Sequence, residues 1–116
     1  MTPEELELIT VEIVAYAGDA RSKYVEALNY ANEGNFGEAE KLIEEASELI
    51  NEAHKVQTNM IQMEAAGNKV DVSFLMVHAQ DHLMTVMLLR DIVKNFVNLA
   101  KKIGKYKKCN WVLKNW

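Results

Sequence analysis

Cysteine and proline are almost absent from this chain, which has one residue of each, Cys109 and Pro3. A lone cysteine excludes an intramolecular disulfide and a cysteine-based zinc cage, and it is typical of a reducing cytoplasm. No run approaches the roughly 18 apolar residues that a membrane span needs. The acidic start of the chain also lacks the charged and apolar regions of a signal peptide. We therefore expect a cytoplasmic protein.

Positive charge is scarce in most of the chain and is concentrated at its end. Residues 1–100 hold all 17 acidic residues and 7 basic ones, a net charge of −10, whereas the last sixteen residues hold 6 lysines and no acid. An acidic body argues against nucleic-acid binding, which needs a basic surface. A length of 116 residues suits one domain. We expect this domain over 1–103 and a lysine-rich tail without a clear period over 104–116.

Helical spacing of apolar residues, without β-branched alternation, predicts an all-α protein. Thr2, Pro3 and Glu5 have the types expected at the N-cap, first position and capping-box position of helix one. Gly34 suits the positive-φ position at the end of that helix. The short turn makes helices one and two antiparallel neighbours. Gly18, inside helix one, predicts a close helix contact or a bend.

Helix three is predicted to start at a cap of Asp71 or Ser73, after a break at residues 67–69, and to run to about Gly104. Its apolar residues cover nearly the whole circumference, and a helix of this kind is buried on all sides. Two other helices cannot enclose it completely. We therefore expect an antiparallel three-helix bundle protomer that self-associates through its third helix.

Four polar side chains interrupt this apolar helix: His78, Gln80, Asp81 and His82. His78 and His82 share a face because they are four residues apart. A zinc protease would need a glutamate after the first histidine, where this chain has Ala79. A di-iron site would need two Glu-x-x-His copies, which are missing. A neutral imidazole with a pKa of about 6.5 can attack phosphorus, so a phosphocarrier fits better.

In a phosphocarrier, Gln80 and His82 would donate hydrogen bonds to the phosphoryl oxygens or fix the tautomer of His78. No arginine or lysine lies within two turns of His78 on this helix, which predicts a phosphoryl group held without strong charge neutralisation. Asp81 is costly on a buried helix unless it is paired or binds a metal, and copies of it on a symmetry axis could share a hard divalent cation. Alternatively, these groups are only hydrogen-bonded core or interface residues.

The run His-Ala-Gln-Asp-His-Leu-Met-Thr at residues 78–85 resembles the active-site signature of the lactose/cellobiose (chitobiose) family of enzyme IIA proteins, from the bacterial phosphoenolpyruvate-dependent sugar phosphotransferase system. Ala-Gly-Asp-Ala-Arg-Ser at 17–22 and Glu-Ala-His-Lys-Val-Gln-Thr at 52–58 are also similar to family blocks, in the same order. The resemblance implies a homotrimer of three-helix protomers with the active site between subunits. It also implies that His78 is phosphorylated and that Asp81 binds one Mg²⁺ per trimer on the symmetry axis.

A carrier of this family would take its phosphoryl group from phosphorylated HPr and pass it to a cysteine of the cognate enzyme IIB. The relay would serve the uptake and phosphorylation of a β-linked disaccharide (lactose, cellobiose or chitobiose), and the protein would meet the membrane only through the sugar transporter. The alternative is a non-enzymatic helical adaptor that binds a partner helix, because residues 34–40 resemble the turn of a tetratricopeptide-like hairpin. One hairpin without a repeat of about 34 residues supports it weakly.

Overall fold

Three α-helices make up the fold. The structure, a computed structural model, describes the backbone of residues 1–115 and the side chains of these residues other than 107–114. α1 spans Pro3–Asn32, α2 spans Phe36–Ala65 and α3 spans Phe74–Lys114. No strand occurs in this described part of the chain, so the predicted all-α class is confirmed. Within the same residues, every helix is too short or too polar to cross a bilayer.

The helices begin at side chains that cap their free backbone N–H groups. Thr2 Oγ1 accepts from the Glu5 N–H at 3.1 Å, and the Glu5 carboxylate accepts from the Thr2 N–H at 3.1 Å. These two bonds complete the predicted capping box of α1. At the start of α3, Ser73 Oγ accepts from the Met76 N–H at 3.0 Å. Of the two candidate caps for this helix, Ser73 is therefore the one used.

The first two helices end before glycines with positive φ, whereas α3 has no such stop. Gly34 has φ +80° and Gly67 has φ +96°, a conformation that residues with a Cβ rarely adopt. α3 instead continues through Gly104, near its predicted end, as far as Lys114. A glycine inside a helix costs only about 1 kcal/mol relative to alanine, and no proline follows it. The tail therefore extends α3, while the side chains of 107–114 lie outside the described residues.

Contacts between helices establish their directions. Near the end of α2, Gln57 bonds to Gln80 near the start of α3. Near the start of α2, Glu40 pairs with Lys101, far along α3. α2 therefore runs antiparallel to α3, and the short turn after α1 makes it antiparallel to α1 as well. The predicted antiparallel three-helix bundle is confirmed.

Small residues dominate the core between the three helices, so the helix axes can approach closely. The largest fully buried side chain is Tyr24, whose hydroxyl lies 2.9 Å from Ser47 Oγ on α2. A buried tyrosine hydroxyl usually needs such a partner. The other buried apolar residues of the core cluster are Ile13, Ala17, Ala20, Ala27, Ala31, Ala39, Ala46, Ile50, Ala53, Ala79, Leu83, Val86, Val93 and Val97.

α3 carries apolar residues on two opposite faces, and α1 and α2 cover only one of them. Leu83, on the core face, is fully buried. At about 100° per residue, Asp81 lies about 200° from Leu83 around the helix, and it is exposed. Two helices therefore fail to enclose α3, as predicted. We call the exposed face the outer stripe, made of Phe74, Val77, Asp81, Met84, Leu88, Ile92 and Leu99.

Candidate functional site

The two histidines of α3 form a stacked pair at one edge of the outer stripe. The ring centroids of His78 and His82 are 5.9 Å apart, and their planes differ by 18°. His78 is exposed, whereas His82 is half-buried. The spacing of one helical turn brings the rings together. The pair thus offers one imidazole that a partner protein can reach and a second that supports it.

His82 is sheltered by α1 at Gly18. A Cβ atom at Gly18 would lie 3.6 Å from His82 Nε2, so the ring lies against α1 at a position without a side chain. α1 remains helical through this glycine. Of the two expectations for Gly18, a close contact or a bend, the close contact is confirmed, and it is made by a candidate site residue.

The environment of His82 favours the neutral form of its ring. Burial is the main reason why its pKa lies below the usual 6.5, and electrostatic interactions with His78 and Arg21 lower this pKa further. The Asp81 carboxylate acts in the opposite direction. A neutral imidazole donates at one ring nitrogen and accepts at the other. His82 can therefore donate to an anionic group bound at His78 without adding a charge of its own.

Arg21 is a cationic residue near the site that the sequence analysis missed. It lies three residues after Gly18, one turn further along the same side of α1, and its charge reaches His82. The expectation of a site without a nearby cation is therefore incomplete, because it considered α3 alone. The only sequence signal for Arg21 is its position in the block at 17–22.

Gln80 lies at the other edge of the outer stripe and faces α2. At about 100° per residue it is about 200° from His78 around the helix. Its Oε1 accepts from Gln57 Nε2 at 2.6 Å, and its Nε2 lies 3.5 Å from Met76 Sδ. A single chain therefore brings His78 and His82 together but keeps Gln80 away from them. Gln57, like Arg21, received no role from the sequence analysis, although it lies in the block at 52–58.

Asp81 lies between these two edges, in the middle of the outer stripe. Its carboxylate makes no hydrogen bond or ion pair within the part of the chain that the structure describes. Over the same residues, no three His, Cys, Asp or Glu side chains are grouped so that they could hold a metal ion. A cation at Asp81 would therefore need ligands from more than one copy of the chain. Because Asp81 and His78 are exposed, neither belongs to a hydrogen-bonded protomer core.

The model of the family described as "PTS system, Lactose/Cellobiose specific IIA subunit" matches residues 8–101. This chain belongs to the lactose/cellobiose-specific IIA family of the phosphotransferase system. The enzyme IIA is 53% identical over 102 residues to the "PTS system lactose-specific EIIA component" of Staphylococcus epidermidis. That match covers 88% of this chain and 98% of the relative. The resemblance carried by the three sequence blocks is thereby confirmed.

Solved structures of other IIA proteins have a similar fold. The cellobiose-specific enzyme IIA of Bacillus anthracis matches with a TM-score of 0.83 and 41% identity, over 90% of this chain and 94% of that chain. The chitobiose IIA of Escherichia coli, solved in complex with HPr, matches with a TM-score of 0.74 and 37% identity. This second match covers 85% of this chain and 96% of that chain. No feature of the described site favours the adaptor alternative over a phosphotransferase-system component.

Proposed function

We propose that this enzyme IIA is a phosphocarrier in which His78 receives a phosphoryl group from phosphorylated HPr. The observation that carries the proposal is the exposed His78 ring stacked on the half-buried ring of His82, whose pKa is lowered. Support for the donor comes from the relative of Escherichia coli, which is described as an IIA–HPr complex. The acceptor would be a cysteine of the cognate enzyme IIB, in the cytoplasm. The transported sugar would be a β-linked disaccharide such as lactose, cellobiose or chitobiose.

The proposed reaction asks for positioning and charge stabilisation more than for acid–base chemistry. The lone pair of one His78 ring nitrogen attacks phosphorus, a nitrogen–phosphorus bond forms, and the bond between phosphorus and HPr breaks. His82 would then donate its N–H to a phosphoryl oxygen, and Arg21 would add a positive charge nearby. In the second step a cysteine thiolate of enzyme IIB attacks phosphorus, the nitrogen–phosphorus bond breaks, and its electron pair returns to His78.

We further propose that the outer stripe of α3 is covered by two other copies in a homotrimer. Its support is the exposure of large apolar side chains along one line of α3, including Leu88 at 61%. Contiguous apolar surfaces of this kind mark interfaces. In a ring of identical subunits each interface joins two different surfaces. The His78 edge of one α3 would thus meet the Gln80 edge of the next, and Gln80 would reach a histidine that it does not reach in its own chain.

Asp81 would lie on the axis of this trimer. Bringing carboxylates together out of water costs several kcal/mol per charge unless a cation neutralises them, and Mg²⁺ prefers oxygen ligands. We propose that the Asp81 residues of three copies hold one Mg²⁺. The donor fits, because the Asp81 carboxylate has no hydrogen bond or ion pair with the residues that the structure describes. The ion would neutralise the three carboxylates and strengthen the assembly.

Intact-mass measurement after incubation with phosphoenolpyruvate, enzyme I and HPr tests the carrier role. We expect one acid-labile phosphoryl adduct on the wild type, its removal on addition of enzyme IIB, and no adduct on His78→Ala. His54→Ala is the matched control, because His54 is exposed on α2, and this variant should keep the adduct. If folded wild type stays unmodified while HPr itself is phosphorylated, the carrier proposal is wrong.

A further inference from the structure

We propose that Gln57 of α2 is a positioning residue for phosphoryl transfer, which holds the Gln80 amide with an N–H group turned toward the phosphoryl group. This inference rests on the proposed function, because it assigns Gln57 a task at the same site. Gln57 belongs to the sequence block at 52–58. The Gln57 side chain is neither part of the buried core nor a member of the histidine pair.

The contact between the two amides is direct and partly shielded from water. Gln57 Nε2 lies 2.6 Å from Gln80 Oε1, and both side chains are half-buried. The bond joins α2 to the Gln80 edge of α3. Both residues also line an open groove of about 170 Å³ between α2 and the start of α3. The Gln80 amide is thus held on one side and accessible on the other.

Two methionine sulfur atoms select the orientation of these amides. Gln57 Nε2 lies 3.6 Å from Met84 Sδ, and Gln80 Nε2 lies 3.5 Å from Met76 Sδ. A thioether sulfur accepts hydrogen bonds weakly and donates none, so each amide turns its nitrogen toward a sulfur. A flipped Gln80 amide would turn its nitrogen toward Gln57 Nε2 and its oxygen toward Met76 Sδ. Both of those contacts would be mismatched.

The orientation of the Gln80 amide decides whether its N–H group or its oxygen can face the phosphoryl group. Its oxygen is already occupied by Gln57, and one of its two N–H groups points toward Met76 Sδ. The second N–H remains available to an acceptor. Phosphoryl oxygens are anionic acceptors that an amide oxygen would repel, and donors fixed in advance stabilise them without reorganisation. By binding the Gln80 oxygen, Gln57 therefore keeps that oxygen away from the phosphoryl group.

Two substitutions separate positioning from simple packing. Gln57→Met keeps a side chain of similar length but cannot donate, so only the weak contact with Met76 Sδ would still orient the Gln80 amide. Gln57→Glu offers only acceptors, so it should bind the Gln80 nitrogen and turn the amide the wrong way. In single-turnover transfer from phosphorylated HPr, we expect about a tenfold lower maximal rate for Gln57→Met, as for the loss of one hydrogen bond. Gln57→Glu should be slower still, and neither should change the half-saturating HPr concentration.

The matched control is Gln62→Met, because Gln62 is an exposed glutamine on the same helix; it should transfer at the wild-type rate. Adding Gln57→Met to Gln80→Leu should cause no further loss, since Gln57 acts through Gln80. The ¹H–¹⁵N signals of the Gln80 side-chain amide should shift in Gln57→Met. Three results would overturn the inference. Both Gln57 variants could transfer at the wild-type rate, or they could change only the affinity for HPr. In the double variant, the loss of rate could also exceed that of Gln80→Leu alone. Failure of the proposed function would differ, because wild type itself would then carry no phosphoryl adduct.

Discussion

Two histidines of the same helix, one turn apart, have different environments because only one of them faces another helix. His82 lies against α1 at Gly18, and burial lowers its pKa, whereas His78 projects into solvent. The proposed carrier uses this difference, with His78 as the nucleophile and His82 as a hydrogen-bond donor. The difference in environment follows from the path of α1 and not from the spacing in α3.

A pH titration of the imidazole signals by NMR checks the environment of His82. We expect its pKa below 6.5 in the wild type. Arg21→Gln should raise this pKa because a nearby positive charge is removed, yet it should stay below 6.5 because burial, the larger cause, remains. The control is Lys55→Gln, which removes a positive charge from the exposed surface of α2 and should leave His82 unchanged. An unchanged His82 pKa in Arg21→Gln would show that Arg21 does not act on the site.

The same shift has a consequence for stability. A histidine with a lowered folded-state pKa binds fewer protons in the folded chain than in the unfolded chain, so stability rises with pH. For His82 the folded state is not penalised above about pH 6.5. The penalty develops as the pH falls from 6.5 through the folded-state pKa, and it is complete below that value. Measurements of the free energy of unfolding over this window should therefore show a smaller decrease in His82→Gln than in the wild type.

At the scale of the helices, two glycines with different surroundings serve different purposes. Gly34 has φ +80° and ends α1, whereas Gly18 is helical and lies in the middle of α1 against His82. A positive φ strains any residue with a Cβ, while a helical glycine only adds flexibility to the unfolded chain. The first glycine is needed for the backbone, whereas the second lies where a small side chain could still fit beside His82.

Alanine substitutions at these two glycines should therefore have opposite effects on stability. A Cβ at Gly18 would lie 3.6 Å from His82 Nε2, an ordinary contact distance, so Gly18→Ala should raise the free energy of unfolding by about 0.5–1 kcal/mol. Gly34→Ala should lower it by about 1 kcal/mol or more because of its positive φ. Urea unfolding measures both values. Destabilisation by Gly18→Ala would mean that His82 lies closer to α1 than the structure indicates.

At the scale of the whole molecule, the outer stripe of α3 is the main apolar surface that one chain leaves exposed to solvent. It combines exposed apolar residues with the carboxylate of Asp81. An isolated carboxylate in an apolar interface is unfavourable, while an exposed one is not. Assembly through α3 would therefore change the energetics of Asp81 more than those of any apolar neighbour.

Light scattering at micromolar concentration tests this assembly. We expect a particle of about three times the chain mass of 13.2 kDa, which a chelator should loosen. Asp81→Leu should remove the effect of the chelator and leave the trimer intact, because an apolar residue replaces charges that must be neutralised. Leu88→Lys is the converse variant and should dissociate the trimer by adding a charge to the outer stripe. A monomeric wild type at this concentration would contradict the interface.

Local chemistry made much of this fold predictable from the amino-acid sequence. The capping box of Thr2 and Glu5, the positive φ of Gly34 and the cap at Ser73 all depend on residues within a few positions of one another. Such interactions are encoded in short segments, so the number and order of the helices could be predicted. The end of α3 could not, because Gly104 weakens a helix without stopping it.

In the candidate site, too, relations within one helix could be predicted and contacts between helices could not. The sequence by itself determined that His78 and His82 share a face and that Asp81 lies beside them, since these relations depend only on the helical repeat. Only the tertiary structure decided which histidine is sheltered, that Arg21 approaches from α1, and that Gln57 binds Gln80 from α2. These contacts join residues that are distant in the chain. They depend on how the helices pack, which no local pattern specifies.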